Sequence, residues 1–151
     1  MGTANNTIAD ASNEIVIFQV GETYCGITID NVQEINKNME ITTVYSAPDY
    51  VRGVINLRGQ IVTIIDMRKK FHLQPTALSK KMNNVVVNSK GEQIGLLVDN
   101  VEDIIPASPE EILPSPPHMN DAMGKYFTGV YKLEEELVAI LDMEKLLSKD
   151  A

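Results

Sequence analysis

The chain has 151 residues and a net charge of −8, with 13 Lys and Arg against 21 Asp and Glu. That length suits one domain, or two closely packed subdomains of about 65 to 75 residues each. Its scattered cations exclude the basic stripe that holds nucleic acid or an anionic membrane surface, and its single cysteine excludes an internal disulfide.

Residues 1–13 are small and polar and are expected to form a disordered tail. The opening MGTANNTIADASNE has neither a basic end nor an apolar run, so no signal peptide is expected. No apolar stretch approaches the ~20 residues of a membrane helix, and a reducing cytosol is the expected compartment. From Glu14 the chain becomes β-branched and aromatic: Ile15 to Val20 and Tyr24 to Ile29 form a predicted hairpin about Gly21-Glu22. Asp30 to Ile35 continues as a strand, and Met39 to Val44 is predicted as another, ended by Ser46-Ala47-Pro48. Pro48-Asp49-Tyr50 fits one helical turn. Gly53 to Leu57 and Gln60 to Asp66 flank a two-residue corner, Arg58-Gly59, with glycine where a tight hairpin wants it. Asp66 ends its strand just before MRKKF, a position from which a carboxylate caps a short helix.

A polar stretch, Gln74 to Asn84, leads into strands over Val85 to Val87 and Ile94 to Val98, turning at Lys90-Gly91, with Asp99 to Ile105 beyond. Prolines 106, 109, 114, 116 and 117 exclude long regular elements from Pro106 to Lys125, apart from a turn of helix at Glu110-Glu111-Ile112. Two strands from Tyr126 to Asp142 and a helix over 143–149, capped by Asp142, complete the chain.

Two stretches of this order are copies. GVINLRGQIVTIIDMRKKF from Gly53 aligns without a gap to GVYKLEEELVAILDMEKLL from Gly129, an offset of 129 − 53 = 76, with Asp66/Asp142 among the identities. ITIDNVQEI from Ile27 aligns to LLVDNVEDI from Leu96, at an offset of 99 − 30 = 69. Duplication, about five short strands per copy and glycine turns imply an all-β protein of two small packed barrels, at about 14–72 and 83–142, with an exchange of terminal elements left open.

Catalytic groupings are absent from the pattern. Cys25 sits in an apolar strand far from His72 and His118, which are themselves too isolated to hold zinc. Asp30, Asp66, Asp99 and Asp142 recur by duplication, which favours a structural duty. No phosphate-cradling glycine loop occurs, and no cofactor is expected. A small enzyme using Asp66, Asp99 or Cys25 is the competing reading.

The informative contrast is Asn56-Leu57-Arg58-Gly59 against Lys132-Leu133-Glu134-Glu135. An arginine at a hairpin corner can fork onto a carboxylate, and Glu34, whose twin is Asp103, is the expected partner. Asn56 can bridge backbone groups of the corner, and Gly59 supplies its turn. Val32, Ile35, Val98 and Val101 are candidates to line an apolar joint, although strand alternation divides them between two faces.

VRGVINLRGQIVTIIDMRKKF resembles the signature segment of the CheW family of bacterial chemotaxis coupling proteins, and IGLLVDNVEDI with FTGVYKLEEELVAILDMEKLL resembles its second half, so that the likeness spans about Glu14 to Leu147. The resemblance implies two five-stranded SH3-like barrels and a non-enzymatic scaffold that joins the cytoplasmic tip of methyl-accepting chemotaxis receptors to the regulatory domain of the histidine kinase CheA. Further copies in array rings are implied as partners, and recruitment to membrane-associated arrays as location. It implies coupling roles for Glu34, Asn56, Arg58 and Gly59, and a receptor groove near Ile29, Val32, Ile35, Val98, Asp99 and Val101. A paralogous adaptor of a non-flagellar chemosensory pathway is the alternative. Thr63 stands where many relatives carry proline, which restores one amide donor to its strand.

Overall fold

The computed structural model describes residues 14–114 and 124–148. The expected tail over 1–13, His118 and the last predicted helical residue, Lys149, lie outside them. Among the described residues ten strands form two five-stranded sheets: β1 (Glu14–Val20), β2 (Thr23–Thr28), β3 (Val32–Asn36), β4 (Val51–Leu57), β5 (Gln60–Asp66), β6 (Asn83–Ser89), β7 (Glu92–Val98), β8 (Asn100–Pro106), β9 (Phe127–Leu133) and β10 (Glu136–Leu141). The only α-helical segments among the described residues are single turns, α1 (Met67–Lys70) and α2 (Met143–Leu146). No helix there is long and apolar enough to cross a membrane.

One sheet has the order β8-β1-β2-β10-β9, the other β3-β6-β7-β5-β4. Replacing each strand by its counterpart in the other copy converts either order into the other, so the fold is as duplicated as the sequence. The two copies are nonetheless not the two units. The second unit is Val32–Val101, while the first takes the described residues up to Asn31 and from Glu102 onward. Boundaries at 14–72 and 83–142 are thereby corrected. β2 pairs in parallel with β10 (Cys25 opposite Ala139), and β5 with β7 (Thr63 opposite Ile94), so each copy gives its first two strands to the other copy's sheet. The chain changes unit at Asn31/Val32, within the first copy's Asp-Asn-Val, and again at Val101/Glu102, at the end of the second copy's.

Each unit has its own core. In the second, Ile55, Val62, Ile64, Met82, Val86 and Leu97 cluster; in the first, Ile15, Ile17, Ala107, Val138 and Ile140. Asp66 accepts the amide of Lys69 at 3.2 Å and Asp142 that of Lys145 at 3.2 Å, so both act as the helix caps the sequence predicts. The helix expected over 143–149 is shorter: it closes with the Leu147 amide on Met143 O at 3.0 Å, Leu147 itself leaves the α region at φ −98° and ψ 7°, and Leu146 anchors the turn in the core.

Met39 to Val44 also departs from expectation, since only Thr42 pairs, with Val54. Its carbonyl passes so close to Gly53 that a Cβ there would lie 2.2 Å from Thr42 O, and in the other copy a Cβ on Gly129 would lie 2.4 Å from Leu113 O. Glycine at both places admits a crossing strand that touches at one residue. Pro48 to Val51 closes as a hydrogen-bonded turn, Val51 N to Pro48 O at 3.0 Å, and Pro109–Glu111 forms one 3-10 turn.

Candidate functional site

The corner between β4 and β5 is a tight turn in which both central residues are left-handed, Arg58 at φ 53° and Gly59 at φ 84°. Asn56 Oδ1 accepts the Gly59 amide at 2.9 Å. The same clamp recurs between β6 and β7, where Asn88 Oδ1 accepts the amide of Gly91 at 3.1 Å. Asn56 and Gly59 therefore shape the corner, and Arg58 is what the corner presents.

Arg58 Nη2 donates to Glu34 Oε1, while its side chain stays 69% exposed. Hydrogen bonding to Arg58 holds the Glu34 carboxyl below the usual carboxylate range, against the opposing effect of desolvation, with help from Asn36. The same bond raises the guanidinium above its ordinary value. Glu34 is fixed from behind by a polar chain that sequence reasoning missed: Asn36 Nδ2 donates to Glu34 Oε2 at 3.2 Å, and the fully buried Asn84 donates to Asn36 Oδ1 at 3.1 Å and to Asn38 O at 2.7 Å. The only trace of this chain in the sequence is an asparagine just ahead of the Val85–Val87 run.

Register explains how one short strand serves two faces. β3 bulges between Val32 and Glu34, so that Val32 lies opposite Val87, Glu34 opposite Val86 and Ile35 opposite Val85. The extra residue, Gln33, puts Val32 and Ile35 on one face with Val98, which the ladder links through Asn83. It puts Glu34 on the other face, with the core residue Val86. Of the groove candidates, Ile29, Val32, Ile35 and Val101 are half-buried and Val98 is fully buried. Asp99 is gripped by Arg68, Nε to Oδ1 at 3.0 Å and Nη2 to Oδ2 at 2.8 Å, a planar fork at the point where the chain leaves the second unit.

Ile61, paired with Asn56 beside the corner, is 62% exposed and was also missed. Alternation gave the signal, because Val62 and Ile64 are buried and Ile61 must face out. A larger cleft of about 530 Å³, lined by Lys37, Met39, Leu78, Ser79 and Lys80, lies elsewhere in the same unit and includes neither Arg58 nor Glu34.

The groups of the competing enzymatic reading are otherwise engaged. Burial pushes the Cys25 thiol far up, away from thiolate chemistry. Asp66 caps α1 and pairs with Arg52 at 3.1 Å, and Asp99 is held by Arg68. No cluster of three metal-ligating side chains occurs among the described residues.

This geometry agrees with comparisons to known proteins. The CheW-like domain family matches residues 14–151. Chemotaxis protein CheW of Klebsiella aerogenes is 37% identical over 137 residues, covering 91% of this chain and 82% of that protein. Chemotaxis protein CheW of Treponema pallidum is 33% identical over 146 residues, covering 93% and 85%. The crystal structure of the scaffolding protein TtCheW from Thermoanaerobacter tengcongensis superposes with a TM-score of 0.82 at 30% identity, covering 91% of this chain and 88% of that one. With two five-stranded sheets of one duplicated topology, an arginine corner in place of catalytic groups, and this likeness over nearly its whole length, the chain belongs to the CheW family of non-enzymatic chemotaxis scaffold proteins.

Proposed function

We propose that this chain couples methyl-accepting chemotaxis receptors to the histidine kinase CheA, working in the cytoplasm at membrane-associated receptor arrays and joining further copies of its family in array rings. The observation that carries this reading is the exposed Arg58, fixed by Glu34 on a rigid corner and flanked by the outward Ile61. A cation held in one orientation beside an apolar side chain is the composition of a protein-binding hot spot. Asn56 and Gly59 hold the corner in shape, and Asn84 and Asn36 hold Glu34. Within the second unit, Val32, Ile35 and Val101 supply apolar contact for a receptor helix tip, with Val98 buried and Asp99 held by Arg68.

The test is calorimetric titration of Arg58→Ala with the kinase regulatory domain and with a receptor-tip fragment, separately, alongside kinase activation in reconstituted arrays. Loss of one affinity with an unchanged melting temperature assigns the corner to that partner. Unchanged affinities and unchanged activation remove Arg58 from the site.

A further inference from the structure

The place that Arg58 and Glu34 occupy in the second unit has a counterpart in the first, and there it is an open cleft. Ile17, Tyr24, Glu102, Asp103, Ile105, Leu133, Glu134, Glu136 and Val138 enclose about 300 Å³. The two repeat offsets carry the key members of this lining onto the arginine site: Asp103 onto Glu34, Ile105 onto Asn36, Leu133 onto Leu57, Glu134 onto Arg58 and Val138 onto Val62. The turns begin alike, with Glu134 at φ 55° and Arg58 at φ 53°. In the second unit a carboxylate meets the chain's own guanidinium. In the first, the same carboxylate position faces another carboxylate, and the polar Asn36 is replaced by Ile105.

The cleft therefore combines an apolar floor with an acidic rim. Tyr24, Ile105 and Leu133 are only partly buried and pack on the core cluster that includes Ile17 and Val138, while Asp103 and Glu136 stand exposed around them with Glu134 at the corner. Among the described residues, no Lys or Arg lines it. Leu137, the counterpart of Ile61, is 45% exposed alongside and extends the apolar surface.

We propose that this cleft is a docking site for an arginine flanked by apolar side chains on a partner protein, the incoming guanidinium taking the place that Arg58 fills from within in the second unit. The carboxylates of Asp103, Glu134 and Glu136 supply the charge and a planar fork of acceptors, and the floor takes the apolar neighbours. A strongly hydrated ammonium fits such a floor less well than a guanidinium, so arginine is preferred over lysine. The site is independent of which partner engages Arg58.

The experiment titrates the full chain, ¹⁵N-labelled, with acetyl-Leu-Arg-Leu-Gly-amide and with its citrulline counterpart. Saturable shifts of the Tyr24, Ile105 and Leu133 amides are expected, with millimolar affinity for so short a probe and about tenfold or more loss for citrulline. Glu134→Arg supplies the missing guanidinium in cis and abolishes the shifts, Glu134→Gln weakens them, and Arg58→Ala leaves them unchanged; a thermal melt checks that each variant folds. Equal binding of the citrulline peptide, absence of saturable shifts, or undiminished binding by Glu134→Arg overturns the proposal. Self-association in sedimentation that Glu134→Arg abolishes assigns the cleft to a second copy instead, which also overturns it.

Discussion

Asn84 and Ile15 hold the same place in the two sheets, opposite Leu97 and Thr28, and neither is accessible to solvent. One position thus carries a polar anchor in the unit with the arginine corner and a plain core residue in the other. Replacing Asn84 by Ile takes the side-chain donor from Asn38 O and leaves Asn36 Oδ1 with the Asn38 amide alone, at 3.0 Å. The expected cost is about 1–3 kcal/mol, read as a lower denaturant midpoint at unchanged slope. Weaker partner binding should accompany it, because Glu34 loses its support.

The Glu34–Arg58 pair sets a pH dependence with a definite sign. The folded carboxyl is held below its ordinary value of about 4.3, first by Arg58. Its stabilising contribution is complete above that ordinary value and is lost as pH falls through the lower folded one. A carboxyl ¹³C titration should find Glu34 ionising at lower pH than ordinary glutamates, and Arg58→Ala should move the midpoint up.

Two glycines of the β4–β5 pair share a positive φ, 151° at Gly53 and 84° at Gly59, but differ in what a side chain would meet. Gly59→Ala meets nothing within 4 Å and suffers only its left-handed backbone, so about 1–2 kcal/mol is expected. Gly53→Ala drives a Cβ into the Thr42 carbonyl and should cost about 3 kcal/mol or more. Chemical denaturation of both variants checks the order; a milder Gly53→Ala contradicts the crossing at Thr42.

Cys25 is fully buried in β2. Aromatic disulfide reagents should react with the native protein only at the rate of opening, orders of magnitude below the denatured rate. Rapid native labelling would place the thiol at a surface.

The local devices of this fold were legible because each is written in neighbouring residues. Asp66 and Asp142 cap as their positions before MRKKF and MEKLL predict, and Arg58-Gly59 turns as its glycine demands. The Arg58–Glu34 pair was legible through the contrast between copies, since an arginine at the position that aligns with Glu134 points to a difference in use. What stayed hidden depends on pairing between distant strands. Periodicity marks β2 and β10 as strands but does not say that Cys25 lies beside Ala139. The bulge at Gln33 is equally silent, yet it decides that Val32 and Ile35 share a face while Glu34 turns to the other. Asn84 looked like the end of a polar stretch because its partners, Asn36 at the end of β3 and Asn38 just beyond it, are nearly fifty residues away in sequence.

The exchange of strands between copies governs when the protein can fold during synthesis. The first hairpin, made within the opening 28 residues, finds its sheet partners only in β8 and β10, after more than seventy further residues have been made. The middle of the chain, Val32–Val101, holds a full set of five strands and can close as soon as it clears the ribosome. The nascent β1–β2 ribbon must wait with one edge open until β10 emerges, which makes the stretch from Glu102 to Leu141 the clock for maturation.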